Sequence, residues 1–336
     1  MPLFTQKMFF DSVQHLTHYT LYSKIKKTCR CGGIMLSFYR NFVNRYDLCD
    51  EGKHVLLEAG ERLIVGHADA LSSIVDAYWE NGYQILPLEG MRRDLAAASG
   101  IPFETVNFVM LVCAAEMLLS DYRANGLSEK LFYDTMEDMI YKVRECKTVR
   151  GIYGIFVESW YGIFFRRTLF KLGRFEYEIT KFGADTPYEK HGVRLEPEDA
   201  MLGIHIPSCG PLTREVRLES YRLAYDFFPE YRRGGVLPIL CHSWLLYPGN
   251  REIFPASLNI VDFLSDFENL GFAVSEEYGD CWRLFGRDYD GHPERLPRDT
   301  SMQRAMADWL LSGRKSGTGF GLLLFDGHAL LTRNDI

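Results

Sequence analysis

Two histidines and a short loop carry the chemistry this sequence could do. His205 lies near the end of the strand-like run Met201-Leu202-Gly203-Ile204-His205-Ile206. There a period of two puts Leu202, Ile204 and Ile206 on one face and Met201, Gly203 and His205 on the other. His242 stands in a second such run, Gly235 to Leu246, between Cys241 and Ser243. Imidazole changes charge near neutrality, so either ring suits proton transfer; a hydrogen-bonded structural histidine is the competing reading for each. Cys241 and His242 make a poor nucleophile–base dyad, because neighbours on one strand point to opposite faces, and His205 reaching Cys241 across two strands is the easier geometry. The loop Pro207-Ser208-Cys209-Gly210-Pro211-Leu212 follows His205 and feeds a helix with Thr213 at its N-cap position. Such a loop presents backbone N–H groups at the positive end of a helix dipole, so Ser208, Cys209, Gly210, Leu212 and Thr213 suit a phosphate or pyrophosphate.

The elements that must position these groups are legible around them. Val216, Ser220, Leu223, Ala224, Phe227 and Phe228 recur at helical spacing, with Arg214, Glu215, Arg217, Arg222 and Asp226 elsewhere on the helix. Phe175 to Phe182 alternates as a strand, with Phe175, Tyr177 and Ile179 on one face; Glu176 and Glu178 lie on the other, either as a solvated face or as a base reaching a substrate groove. Pro238 has no N–H to donate, so its strand belongs at an edge or diverges from a neighbour there, and Gly203 on the other run leaves space. The two runs are therefore expected to separate toward His205 and Cys241. Beyond them the pattern predicts a helix over Asn259 to Leu270 capped by Gly271, a helix from Met302 to Leu311, and strands at Cys281 to Gly286 and Gly321 to Phe325.

The first 150 residues read mostly as helix, over Lys7–Lys27, Glu61–Trp79, Gly90–Ala98, Phe103–Arg123 and Ser128–Cys146, with Lys53 to Glu58 compatible with strand or helix. A compositional change at Gly151 divides the chain into 1–150 and 151–336. At 336 residues, 47% apolar and 14% aromatic, it can bury a core in each part. A net charge of -7 argues against nucleic acid as the main partner, and the run Lys24-Ile25-Lys26-Lys27 with Arg30 reads as a solvated helix end. Eight scattered cysteines without framework spacing, and no apolar leader, fit reduced thiols in a cytoplasm. Val106 to Leu119 reads as a buried core helix rather than a membrane span. Cys29 and Cys31, with Cys49 and His54, have one residue where a zinc pair usually has two to four, so no metal is expected.

The order strand, glycine loop, long helix, strand, helix, Leu270-Gly271-Phe272, strand, strand resembles the second half of the GNAT acyltransferase superfamily. His205 to Leu212 and Cys241 to Leu246, together with Asp134 to Asp138 and Leu172 to Phe175, more closely resemble a bacterial family of acyltransferase-like proteins. That family joins an N-acyltransferase N-terminal helical domain to a GNAT-like C-terminal domain. The resemblance implies an α+β fold, a helical N-terminal domain followed by a GNAT-like mixed-sheet α/β domain. It implies acyl-CoA, or a related acyl carrier, as co-substrate, and a small amine or hydroxyl acceptor. The pyrophosphate would fall at Ser208 to Leu212 and the thioester near His205, His242 and Ser243. No membrane partner is implied, and a homo-oligomer is compatible with the pattern. Two features depart from the superfamily: its Gln/Arg then Gly-x-Gly loop is replaced by a loop with one glycine, and Phe267 stands where a thiolate-protonating tyrosine is common. Two other readings stay open, a non-catalytic binding protein on a GNAT-like shell and a cysteine-dependent acyl hydrolase acting through Cys241 or Cys209.

Overall fold

The computed structural model describes residues 32–334. The helix expected over Lys7–Lys27, the basic run at Lys24 to Arg30, and Cys29 and Cys31 lie outside the described residues. Two compact units form, one running to Leu127 and taking in Tyr153–Ser159, the other made of Ser128–Ile152 and the chain from Trp160 onward. The division follows packing rather than the compositional change near 150.

The N-terminal unit is helical: α1 (Gly32–Arg45), α2 (Asp50–Gly66), α3 (Ala68–Glu80), α4 (Glu89–Ser99) and α5 (Phe103–Ala124). Lys53 to Glu58 is helix, and the helix expected over Glu61–Trp79 breaks at His67. α5 matches the helix expected over Phe103–Arg123; at 22 residues it is long and apolar enough to cross a membrane, but 78% of its apolar window is buried. Two polar groups of its first turns are paired. Thr105 Oγ1 donates to the Tyr153 carbonyl at 2.8 Å and Asn107 Nδ2 to that of Ile155 at 3.1 Å, while buried Arg92 donates to Asn107 and to Glu158. Gly154 is obligatory for this: a Cβ there would lie 2.3 Å from the Glu104 carbonyl carbon.

The second unit begins with α6 (Glu129–Met136), capped by Ser128 Oγ accepting from the Leu131 amide, and α7 (Asp138–Arg150). Its strands are β1 (Leu169–Leu172), β2 (Phe175–Lys181), the hairpin β3 (Tyr188–Lys190) and β4 (Val193–Leu195), β5 (Ala200–His205), β6 (Leu237–Ser243), β7 (Glu268–Val274) and β8 (Gly317–Phe325). The six-stranded sheet runs β1-β2-β5-β6-β8-β7, antiparallel except for the parallel pair β5–β6. A parallel pair needs a crossover, and α8 (Arg214–Phe227) supplies it. Against α8 pack the residues of one sheet face: Phe175 stacks on Tyr221 at 5.6 Å, and the Tyr177 hydroxyl meets Ser220 Oγ at 3.0 Å. On the opposite face Met201, Leu240, Leu322 and Leu324 form a second core with Tyr188, Val193 and Leu195 of the hairpin. The helices α9 (Asn259–Leu264) and α10 (Ser301–Leu311) complete the unit, α10 opening with a Thr300/Gln303 capping box.

Four sequence expectations are corrected. The helix expected to Leu270 stops at Leu264, and Leu270-Gly271-Phe272 lies in β7, where the register slips between Asn269 and Gly271, so Gly271 is no helix cap. Cys281 to Phe285 is a helical turn ended by Gly286 at φ 66°, not a strand. Of the two alternatives for the Pro238 strand, the edge position fails, since β6 is interior and Pro238 pairs in register with Leu324, while on the β5 side Pro238 has no ladder partner. Finally, α8 buries Arg217, Ser220, Tyr221 and Ala224, leaving Val216 and Leu223 exposed, because Arg217 finds buried carboxylates.

Candidate active site

Between β5 and β6 the ladder holds only Leu202 to Ile239 and Gly203 to Leu240. Past those pairs each strand bonds only on its outer side, β5 to β2 and β6 to β8. The edges facing each other, Ile204 to His205 and Cys241 to Ser243, carry backbone groups with no ladder partner, which an apolar interior would not tolerate unfilled. Thr180 takes the space expected beside Gly203: a Cβ on Gly203 would meet its methyl at 3.2 Å. The opening is therefore made by diverging backbones rather than by a missing side chain.

His205 sits at this opening, half-buried. Its Nε2 donates to Glu178 Oε2 at 2.8 Å, and the Trp160 ring meets it edge-on at 4.7 Å between centroids. A carboxylate on Nε2 leaves Nδ1 as the lone pair able to take a proton. Glu178 is thus not a solvated residue, and Glu176 still less: it is 1% exposed and lies opposite His205 in the β2–β5 register. Glu176 Oε1 and Asp138 Oδ1 are both buried without a donor, while Asp138 Oδ2 accepts from the Tyr161 hydroxyl at 3.0 Å. Burial, then the neighbouring Asp138 charge, hold the Glu176 carboxyl well above the usual carboxylate range, and Asp138 is raised too. A proton held between the two carboxyls would serve both orphaned oxygens, and the Lys142 ammonium, 3.8 Å from Asp138 Oδ1, partly offsets their charge.

The loop from Pro207 to Leu212 is held from one side by two guanidinium groups. Arg174, in the β1–β2 turn, donates to the carbonyls of Pro207 (2.8 Å), Gly210 (2.9 Å) and Pro211 (3.0 Å) and to Cys209 Sγ (3.1 Å). Arg217 takes the Leu212 carbonyl at 2.6 Å, and Ser208 Oγ donates to Glu145. Gly210 adopts φ 127°, open to glycine alone. Thr213 occupies the N-cap position without a side-chain cap bond; the Glu215 carboxylate accepts its own N–H and the Thr213 hydroxyl instead, which lowers its pKa. The helix dipole is thus already met in part by the chain's own carboxylate. A groove of about 920 Å³ opens beside the loop, with Lys171, Arg174, Cys209, Pro211, Val216 and Arg222 in its wall.

The other sequence candidates fall in different places. His242 is exposed on the His205 side of the sheet, against Phe320. Ser243 Oγ accepts from the Leu245 amide and so caps a turn. Cys241 is 1% exposed on the opposite face, its thiol pushed up by burial, so the His205–Cys241 pair does not form and the thiol stays protonated. Cys209 is half-buried, its thiol also raised by burial despite the Arg174 charge. Phe267 is buried against Phe263 and offers no hydroxyl. Sequence reasoning missed Trp160, the hold of Arg174 and Arg217 on the loop, and the proximity of Glu176 to Asp138. The strings Leu172 to Phe175 and Asp134 to Asp138 held Arg174 and Asp138, and Glu176 was read as a solvated face or a base, but nothing local marked their partners.

Known proteins share this architecture. Residues 169–323 match the model of the GNAT-like C-terminal domain and residues 55–167 that of the N-acyltransferase N-terminal domain. No curated protein matches the chain. Among solved structures, an acyltransferase in complex with decanoyl-CoA and teicoplanin aligns with a TM-score of 0.64 at 19% identity, over 85% of this chain and 87% of that one. An acyltransferase in complex with CoA and 10C-teicoplanin aligns with a TM-score of 0.66 at 19% identity, over 84% and 86%. An acyltransferase mutant in complex with octanoyl-CoA gives 0.63 at 20% identity, again over 84% and 86%. At these identities the likeness is one of fold.

Proposed function

Since the chain belongs to the acyltransferase-like family that joins an N-acyltransferase N-terminal domain to a GNAT-like C-terminal domain, we propose that it transfers an acyl group from acyl-CoA to an amine or hydroxyl acceptor. The observation that carries this is the opening between β5 and β6 beside the His205–Glu178 pair. The amides of a pantetheine arm suit the unpaired strand edges, and the groove beside the loop has the volume of a nucleotide-sized ligand site. The solved neighbours, with acyl-CoA or CoA and two of them with teicoplanin or its 10C form, support a donor and an acceptor bound together.

In this reading the acceptor nitrogen attacks the thioester carbonyl, the C–N bond forms, and the C–S bond breaks as the tetrahedral adduct collapses. His205 Nδ1 accepts the amine proton, Glu178 steadies the imidazolium, and the departing thiolate takes a proton back. His242 lies on the same side for a role at the acceptor. The same proposal places the reaction in a bacterial cytoplasm, in keeping with six free cysteines among the described residues.

Isothermal titration with CoA and decanoyl-CoA tests the donor site, and release of free thiol with a panel of amines tests turnover. Saturable binding and acceptor-dependent thiol release are the expected results; no binding at millimolar ligand would overturn the proposal. Phe267, without a hydroxyl, favours one alternative, a binding protein on the same shell, and that reading requires donor binding with no thiol release across the panel.

A further inference from the structure

We infer that Arg174 is a positioning residue for the acyl donor, its guanidinium shaping the single-glycine loop so that the loop's amides face the pyrophosphate; this rests on the acyl-CoA reading above. The loop runs Pro207-Ser208-Cys209-Gly210-Pro211-Leu212, and two of its six residues are prolines with no N–H. Its carbonyls and amides are divided unequally. Those of Pro207, Gly210, Pro211 and Leu212 all accept from guanidinium groups, three from Arg174 and one from Arg217. Of the four amides, Cys209 N donates to the Pro207 carbonyl, and those of Ser208, Gly210 and Leu212 bond to no protein acceptor among the described residues.

A glycine-rich loop reaches an amide-out arrangement because its residues freely adopt the required backbone angles. This loop has one glycine, and its angles are instead fixed from outside by a planar fork that satisfies three carbonyls and a thiol at once. Lysine could not do this, since its ammonium is a point charge without the fork geometry. Arg217 is set apart from Arg174 by its carboxylate partners, which anchor it in the core of α8. Arg174 spends its donors on the loop alone, and it comes from the β1–β2 turn rather than from the loop or its helix.

The test compares acyl-CoA with the matching S-acyl-pantetheine, which lacks the pyrophosphate, in the full-length protein and in Arg174→Lys and Arg174→Ala. The ratio of kcat/KM for acyl-CoA over acyl-pantetheine is expected to fall at least about tenfold in both variants through KM for acyl-CoA, a change worth roughly 1.4 kcal/mol. Added guanidinium at low concentration is expected to restore part of it in Arg174→Ala, which a general loss of folding would not show. If Arg174→Ala does not fold, Arg174→Lys decides alone. An unchanged ratio in a variant, beside a wild-type protein that prefers acyl-CoA, overturns the role of Arg174 and leaves the acyltransferase reading intact. A wild-type protein that binds no CoA overturns both.

Discussion

Two acid–base pairs in the second unit have the same length and opposite characters. Arg217 Nε lies 2.8 Å from Asp266 Oδ2, and His205 Nε2 lies 2.8 Å from Glu178 Oε2. The first pair is 0% and 1% exposed, the second 33% and 25%. Every nitrogen and carboxylate oxygen of the first is bonded: Arg217 also reaches Asp262 and the Leu212 carbonyl, while Asp266 also accepts from Tyr221 and Arg333. The second leaves the other imidazole nitrogen outside the carboxylate contact, on a residue at the end of β5 beyond its ladder with β6. Distance alone therefore does not mark a site of chemistry; an unspent valence at an opening does. The closed cluster ties α8, α9 and the C-terminal segment together, and through Leu212 it fixes the end of the loop that the open pair lies beside.

The largest expected effect belongs to the closed cluster. Asp266→Ala leaves Arg217, Tyr221 and Arg333 without their common acceptor and two buried or nearly buried guanidinium groups with the half-buried Asp262 as their one carboxylate, a change expected to approach the cost of about 3–5 kcal/mol seen when a buried pair is broken. Urea denaturation reads this directly, and a loss under about 1 kcal/mol would remove the contrast between the two pairs. A smaller effect on folding but a large one on rate is expected at the open pair. His205→Ala should lower kcat/KM by roughly 10²–10⁴-fold, the usual contribution of a general base, with the urea midpoint little moved because the ring is half-exposed. Glu178→Gln should act in the same direction and less, since it alters the ring's orientation and charge rather than removing it. Wild-type rates in His205→Ala would move the base elsewhere, with His242 next in line.

How much of this was legible in the sequence depends on whether the deciding contact is local. The run Met201 to Ile206, its loop and the start of α8 could be read because a period of two, two prolines and a glycine, and a period near 3.6 succeed one another within some twenty residues. The separation of β5 from β6 was expected from Pro238 and Gly203, but Pro238 lies on the other side of the two-pair ladder from the opening and Thr180 fills the space beside Gly203, so the outcome was legible and its cause was not. What failed depended on distant partners. Arg217 looked like a solvated residue because Asp266 is 49 positions away. The chain after Leu264 looked helical because β8, which pairs with Glu268 to Val274, lies some fifty residues downstream. Glu178 could be placed on a face, but its contact with His205 is diagonal across a register that pairs Glu178 with Gly203. Trp160 and Arg174 sit at turns, where no periodicity marks which way a side chain points.

The Glu176–Asp138 pair falls between the two extremes, buried like Arg217 and Asp266 yet unsatisfied like His205, and it gives the smallest and most specific prediction. Both carboxyls have raised pKa values in the folded protein, Glu176 strongly. An unfolded glutamate ionises near 4.3, so above that pH the unfolded chain has released a proton that the folded chain still holds. The unfolded state then binds fewer protons, and stability must fall as pH rises from the unfolded carboxylate range toward the folded value. A single proton contributes a slope of at most about 1.4 kcal/mol per pH unit. Glu176→Gln cannot ionise, and its amide can donate to Asp138 Oδ1, the oxygen now without a donor. The variant should therefore lose stability less steeply than the wild type between pH 5 and 8, with the two curves closest at the acid end. Denaturation midpoints at four pH values across that window measure the difference in slope. Parallel curves would mean that no proton is shared beneath His205 and that the buried pair is paired by other means, which would make it a second closed cluster of the Arg217 kind.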